Sequence, residues 1–292
     1  LMKANLTDAK LIKAKLNRAI LTSANLNRAN LSKATMREAI MINANLSRAI
    51  LINANLSRAT LSNVNLKHAI LSGTILSEAS LVNANLERAN MTDAKLNGTK
   101  LNRANLTNAN LKRADLAGAI LIKANMRGVN LNGSRLTQAN LSKVDLSKVN
   151  LTCANLSEAN LSEANLREIN LSGSNLDDAD LSRVDLSKAN LFGSYLRRTS
   201  LIEANLSGAN LSQVNLRGAI LTKANLERSN LYKANLASES SVISYLNKAN
   251  LNYANLSDAD LFEADLDSAI LTNAFFCNTR MPNGVINNIS CY

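Results

Sequence analysis

The groups able to do chemistry are few in this chain of 292 residues: one histidine, three cysteines and 22 carboxylates. His68 has no second histidine to form a dyad, and it stands among cations, with Lys67 beside it and Arg48 and Arg88 twenty residues away on either side. A general base works on a group within hydrogen-bond reach, so a lone imidazole in this company reads as a solvated side chain. Asp177, Asp178 and Asp180 form a second cluster, expected on a convex corner with no pocket beside it. Cys153, Cys277 and Cys291 show neither a disulfide framework nor the spacing of metal ligands, and they suit a reducing compartment. No G-x-G-x-x-G, G-x-x-x-x-G-K-[ST] or H-E-x-x-H occurs. The expectation is a cytoplasmic protein that is not an enzyme, with no catalytic residue, no cofactor and no metal.

The frame that positions these groups is a repeat of five residues. From Leu1 onward, fifty of the 59 fifth positions are Leu; Met36, Met41, Met91, Met126, Met281, Phe276, Ile286 and Cys291 substitute, and Ser241 alone is polar. Two residues before each stands a small side chain, Ala in every repeat from Ala4 to Ala59 and mostly Ala afterwards, with Ile169, Glu239, Gly284 and Ile289 as departures. The residue between them is usually Asn or Asp, and the two that follow Leu are mostly polar. A period of five fits neither a helix nor an alternating strand. Self-similarity this regular marks a solenoid. A narrow tube has room for one large and one small side chain per side, which places Leu6, Leu26, Leu46, Leu66 and Leu86 in an inward ladder. Each buried Leu contributes about 1.5–3 kcal/mol. The single proline, Pro282, fits a structure in which every rung donates a backbone N–H.

The consensus A-(N/D)-L-x-x resembles the pentapeptide-repeat family over essentially the whole chain. The resemblance implies an all-β fold, a right-handed quadrilateral parallel β-helix in which four pentapeptides make one coil. About fifteen coils stacked ~4.8 Å apart would give a rod roughly 70 Å long. The sequence offers its own test, because residues twenty apart should then stack and their charges should be coordinated. Arg18, Glu38, Arg58 and Glu78 alternate in sign, as do Lys143, Glu163, Arg183, Glu203 and Lys223. One domain is expected: the β-helix over 1–275, and a C-terminal cap over 276–292 that covers the last open rung. The F-C-N-T-x-M-P-x-G run from Phe276 to Gly284 resembles the closing segment of cyanobacterial members. A loop excursion is expected at 237–245, where Glu239 and Ser241 fall on inward positions and a buried carboxylate would be costly. Extrusion of a whole pentapeptide there would shift every face after Leu246 by one side. Leu1 opens in mid-pattern, which predicts more sequence upstream.

Charge is unevenly placed within the net +11. Residues 1–146 hold 21 Lys/Arg against 7 Asp/Glu, and residues 147–292 hold 12 against 15. Asp258, Asp260, Glu263, Asp265 and Asp267 cluster in the second half. The candidate interaction surface is a basic stack of Arg28, Arg48, Lys67, His68 and Arg88. A second candidate is the uncharged face between Asn130 and Gln213, where Phe192 and the column Gly133, Cys153, Gly173, Gly193 leave a flat surface. No apolar run approaches 18 residues, so no transmembrane segment is expected, and no secretory core is seen. The leading reading is a scaffold or protein-interaction module for an unidentified protein partner, with self-association as a further use of its faces. The alternatives are a DNA-mimic modulator of DNA gyrase, which the basic charge opposes, and a binder of anionic surfaces through the basic half. Nucleic acid is the weaker partner, because no aromatic residues interleave with the cations to stack on bases.

Overall fold

The computed structural model describes residues 1–239 and 242–291. Two compact units, Leu1–Val144 and Asp145–Tyr292, are built on the same coil. None of the described residues is helical; β1 (Thr279–Arg280) and β2 (Ile286–Asn287) form one antiparallel hairpin, and the remaining sheet consists of isolated parallel bridges. In the first unit these run from Asn5↔Asn25 to Ile120↔Asn140, always twenty residues apart.

Each pentapeptide earns its place by a fixed set of bonds. Leu26 donates its N–H to the Asn45 carbonyl at 2.7 Å, Asn25 to Ala4 at 2.9 Å, and Arg28 to Ser47 at 3.0 Å. Ala29 closes the turn by donating to the Leu26 carbonyl at 3.0 Å. That turn needs φ > 0 at its third residue, as Arg28 shows with φ 59°. The left-handed conformation costs about 1–2 kcal/mol for a residue with a Cβ, and the cross-coil bonds offset it. No Val, Ile or Thr takes the position; Lys, Arg, Glu, Asp, Asn and Gly dominate it. The Asn before Leu has a local purpose as well. Asn45 Oδ1 accepts the Ser47 N–H at 3.1 Å, and Asn45 Nδ2 donates to Asn25 Oδ1 at 3.2 Å. The repeated Asn thus holds the turn and bonds to the coil before it.

Inside each unit the Leu and Ala columns are sealed. Leu26, Leu46, Leu66 and Leu86 are at most 1 % exposed, whereas Leu6, in a first coil covered on one side only, is half-buried. Inward hydroxyls are satisfied locally: Thr74 Oγ1 donates to the Leu51 carbonyl at 2.7 Å, and Ser134 Oγ to Leu131 at 2.7 Å.

The second unit departs from the pattern twice. Bridges step by twenty residues up to Asn215↔Asn235, by twenty-five from Ile220↔Tyr245 to Asn235↔Asp260, and by twenty again from Tyr245↔Asp265. Five residues therefore leave the coil. Glu239 stands outside the tube, as the cost of burying its carboxylate predicts; it exchanges backbone bonds with Val242 at 2.8 Å, and its carboxylate meets arginines. Ser244 fills the inward place, fully buried, donating to the Ala237 carbonyl at 3.0 Å and accepting the Gly218 N–H at 2.8 Å. Ser241, the other inward position expected to leave the coil, lies outside the described residues.

The second departure corrects the reading of the cysteines. Cys277 and Cys291 form a disulfide with their Cα atoms 4.7 Å apart. The β1–β2 hairpin turns the chain back, Ser290 donates to the Phe276 carbonyl at 2.8 Å, and the two cysteines meet. The argument for a reducing compartment falls with that pairing. Cys153 is a free, exposed thiol.

Candidate interaction surfaces

The basic residues singled out in the sequence do share one corner of the first unit. Arg28, Arg48, His68 and Arg88 occupy the left-handed turn position of successive coils, with φ between 55° and 59°. Their backbones are in register: Arg48 donates to the Lys67 carbonyl and His68 to Glu87, both at 2.9 Å. The five residues nevertheless differ in charge environment. Arg28 holds Asp8 with two bonds, Nε to Oδ1 at 2.8 Å and Nη2 to Oδ2 at 2.6 Å, and these pull the Asp8 carboxyl below its ordinary range. Lys67 Nζ lies 2.9 Å from Glu87 Oε2; that hydrogen bond lowers the Glu87 pKa first, and Arg88 and His68 add to it. Arg48, His68 and Arg88 have no carboxylate partner among the described residues. They form the part of the stack that makes no ion pair.

The same accounting extends over the first unit, where sequence reasoning had missed it. Residues 1–144 contain six carboxylates, and every one is engaged by a cation one coil away: Asp8 with Arg28, Glu38 with Arg18, Glu78 with Arg58, Glu87 with Lys67, Asp93 with Arg113, Asp115 with Arg135. Against them stand 21 Lys/Arg, a net charge of +15. Alternating columns gave a partial signal for this, but full consumption of the acids needs the coil register. Solvent screening keeps each exposed pair weak. Their consequence is for recognition, because no free carboxylate remains to repel an anion.

In the second unit the acids behave differently. Asp177 is 7 % exposed, accepting the Arg197 N–H at 2.8 Å and its Nη2 at 2.7 Å. Arg198 holds Asp178 with Nε and Nη2 at 2.8 and 2.7 Å, which lowers the Asp178 pKa and raises that of Arg198. The excursion docks onto this pair: Glu239 lies 3.7 Å from Arg197 Nη1 and 3.4 Å from Arg198 Nη1. Arg217 Nη2 donates to the Ser238 carbonyl at 3.3 Å, and its buried Nε has no partner. Gly218 makes the docking fit, since a Cβ there would press to 3.1 Å from Val242 Cγ1. The clustered Asp177 and Asp178 therefore serve an ion lattice that fixes a loop. Val242 and Ile243 stand 39 % and 42 % exposed at its tip.

Nothing in either unit assembles a reactive centre from the described residues. No group of three or more His, Cys, Asp or Glu lies close enough to hold a metal ion. The concavities include grooves between corner side chains, such as that lined by Val82, Asn102, Arg103, Ile122 and Lys123, and a hollow on the C-terminal hairpin lined by Met281, Pro282, Val285 and Ile286. No helix among the described residues is long and apolar enough to cross a membrane.

Comparison with known proteins agrees with this architecture. The family model described as pentapeptide repeats matches overlapping stretches from 4–42 through 199–236 and again over 244–281, breaking where the excursion leaves the coil. HetL, a pentapeptide repeat protein involved in heterocyst differentiation regulation from the cyanobacterium Nostoc sp. strain PCC 7120, is 31% identical over 94% of this chain and 91% of its own, with a TM-score of 0.29. Rfr23 from the cyanobacterium Cyanothece 51142 is 27% identical over 48% of this chain and 85% of its own, with a TM-score of 0.21. QnrB1, a plasmid-mediated fluoroquinolone resistance protein, is 14% identical over 68% of this chain and 84% of its own, with a TM-score of 0.30. No protein of curated function matches the chain. Members of the matched family fold as right-handed quadrilateral β-helices and are generally non-catalytic structural or interaction modules. With its repeats matched over nearly its whole length, the chain belongs to the pentapeptide-repeat family.

Proposed function

We propose that the chain is a non-catalytic scaffold whose first unit docks an acidic protein surface. The observation that carries this reading is the complete pairing of the six carboxylates within residues 1–144, which leaves Arg48, His68 and Arg88 stacked without an ion pair of their own. A rigid backbone supports it, because each of these residues is bonded through its N–H to the next coil and the main chain gives up little freedom on binding. The scaffold itself is about fifteen four-sided right-handed coils in one domain, with 237–245 as an excursion and 276–292 as the cap; the twenty-residue bridges within each unit support this count.

The test is a charge reversal. Arg48→Glu with Arg88→Glu should abolish capture of the partner from the source cell, while Arg18→Glu with Glu38→Arg, which preserves charge, should leave it intact. Capture by wild type should weaken steeply between low and high salt. Equal capture by the reversed variant would sink the reading. The gyrase alternative rests on mimicry of an anion, which a net +15 unit opposes; a supercoiling assay showing neither inhibition nor protection removes it.

A further inference from the structure

We propose that one corner of the second unit binds a neutral glycan chain. This goes beyond the scaffold reading and uses a different surface. The corner follows Leu151, Leu171, Leu191 and Leu211 in successive coils. Its sixteen outward positions between Asn150 and Asn215 hold seven Asn, one Gln, three hydroxyl residues, Phe192, Tyr195, two Gly and Cys153, with no Lys, Arg, Asp or Glu. The neighbouring corners are charged, one carrying Lys148 against Glu168 at 3.5 Å and the other Arg197 against Asp177 at 2.7 Å. A ribbon without charge between two charged corners selects neither anions nor cations.

What it offers instead is a row of donors beside two rings. Asn190 Oδ1 accepts the Phe192 N–H at 3.2 Å and Asn210 Nδ2 at 3.1 Å, which fills both lone pairs. Asn190 Nδ2 spends one hydrogen on Asn170 Oδ1 at 3.3 Å, so its second N–H points away from the ladder. At Asn210, one coil on, Oδ1 accepts the Ser212 hydroxyl at 2.6 Å, the Ser212 N–H at 3.2 Å and Asn230 Nδ2 at 3.5 Å. At Asn190 and Asn210 the carbonyl oxygens are thus used inside the ladder, and each amide keeps one N–H beyond the one it gives to the coil before. Such a row complements a ligand rich in neutral oxygen acceptors. Phe192 and Tyr195 are 44 % and 52 % exposed, large for aromatic side chains. Gly193 between them, and Gly173 one coil before, provide no side chain to cover the rings, and a Cβ at Gly193 would meet nothing within 4 Å.

A pyranose has an apolar C–H face and a rim of uncharged hydroxyls. The face suits an exposed ring, and the rim suits amide and hydroxyl partners. The coil step of ~4.8 Å is comparable with the length of one sugar in an extended chain, so successive amides meet successive residues. The amides are already held by the ladder, and little ordering remains to be done on binding.

Affinity electrophoresis of the full chain through gels containing soluble neutral polysaccharides (xyloglucan, galactomannan or starch) tests this. At least one should retard the protein, and about 0.5 M NaCl, which screens exposed charges within a few ångström, should not abolish the retardation. Phe192→Ala with Tyr195→Ala should weaken binding at least about tenfold. The rings are half exposed, so the double variant should melt as wild type does; Asn190→Asp, which places a charge in the donor row, provides a second loss without removing a ring. The Arg48→Glu, Arg88→Glu variant should bind the glycan unchanged, which separates this proposal from the scaffold reading. Absence of retardation by every neutral polysaccharide, or retardation that survives the double variant, would overturn it. So would a double variant that loses only a protein partner, which would make the corner a protein docking face.

Discussion

The two units share one coil and differ in what their corners carry. In Leu1–Val144 the carboxylates are all spent along the coil direction, the excess is cationic, and no aromatic residue occurs. Asp145–Tyr292 holds all nine aromatic residues, the excursion and the disulfide. The contrast teaches that the interior and the surface of this fold are set independently. Two of every five positions fill the tube and one holds the turn, so the remaining side chains vary without consequence for packing. Chemistry differs between the units because the core does not constrain it.

The largest test of that separation lies in the core. Leu46→Ala in the first unit and Leu186→Ala in the second should each cost about 2–5 kcal/mol in chemical denaturation, because both are fully buried in equivalent columns. A much smaller loss in one unit would break the equivalence. Next comes the disulfide, which the first unit lacks. Closing a loop of this length is worth about 3 kcal/mol, so Cys277→Ser with Cys291→Ser should accelerate proteolysis of the C-terminal hairpin and leave hydrogen exchange in residues 1–144 unchanged. Asp177→Asn should follow at about 1–3 kcal/mol, with new cleavage at the excursion as Arg197 loses its hold; Glu239→Gln should give the cleavage with less loss.

Acid provides a subtler contrast. Asp8, Glu38, Glu87 and Asp93 are pulled below the ordinary carboxylate range, first by hydrogen bonds from Arg28, Arg18, Lys67 and Arg113. A pKa lower in the folded state than in the unfolded state means stability that is full above about pH 4 and is lost as pH falls through the lowered values. Four such groups lie in the first unit, while Asp178 is lowered in the second, and the first unit is already strongly cationic. Amide exchange followed from pH 6 downward should show residues 1–144 losing protection first. Smallest of all, Arg58→Ala should leave the unfolding midpoint close to that of wild type, since its pair with Glu78 is exposed on both sides. A larger effect would mean that the ladders contribute to stability and not only to charge balance.

The core and the coil were readable because one volume constraint recurs at each fifth residue, and because Arg18, Glu38, Arg58 and Glu78 betray a neighbour twenty residues away. The basic stack was legible for the same reason. Which of its members make no ion pair was not, since Asp8 and Glu87 sit in plain view in the sequence yet only register assigns them to Arg28 and Lys67. The excursion was visible from the unwelcome Glu239, but its anchorage on Arg197 and Arg198 was hidden, because those arginines look like any other corner residues. The disulfide was missed for a physical reason. Spacing cannot say that a chain doubles back, and here the turn between β1 and β2 brings Cys291 to Cys277.

The change of step at Ile220↔Tyr245 works as a frameshift felt only by the exterior. Leucine still meets leucine across it, yet the outer residues of the two coils that face each other there acquire neighbours that numbering alone would never assign: Arg228 lies 5.7 Å from the ring centre of Tyr253, and Lys233 feels the charge of Asp258. Insertion or deletion of five residues is therefore a way to re-pair every outer column across one coil boundary in a single event while the hydrophobic interior stays intact.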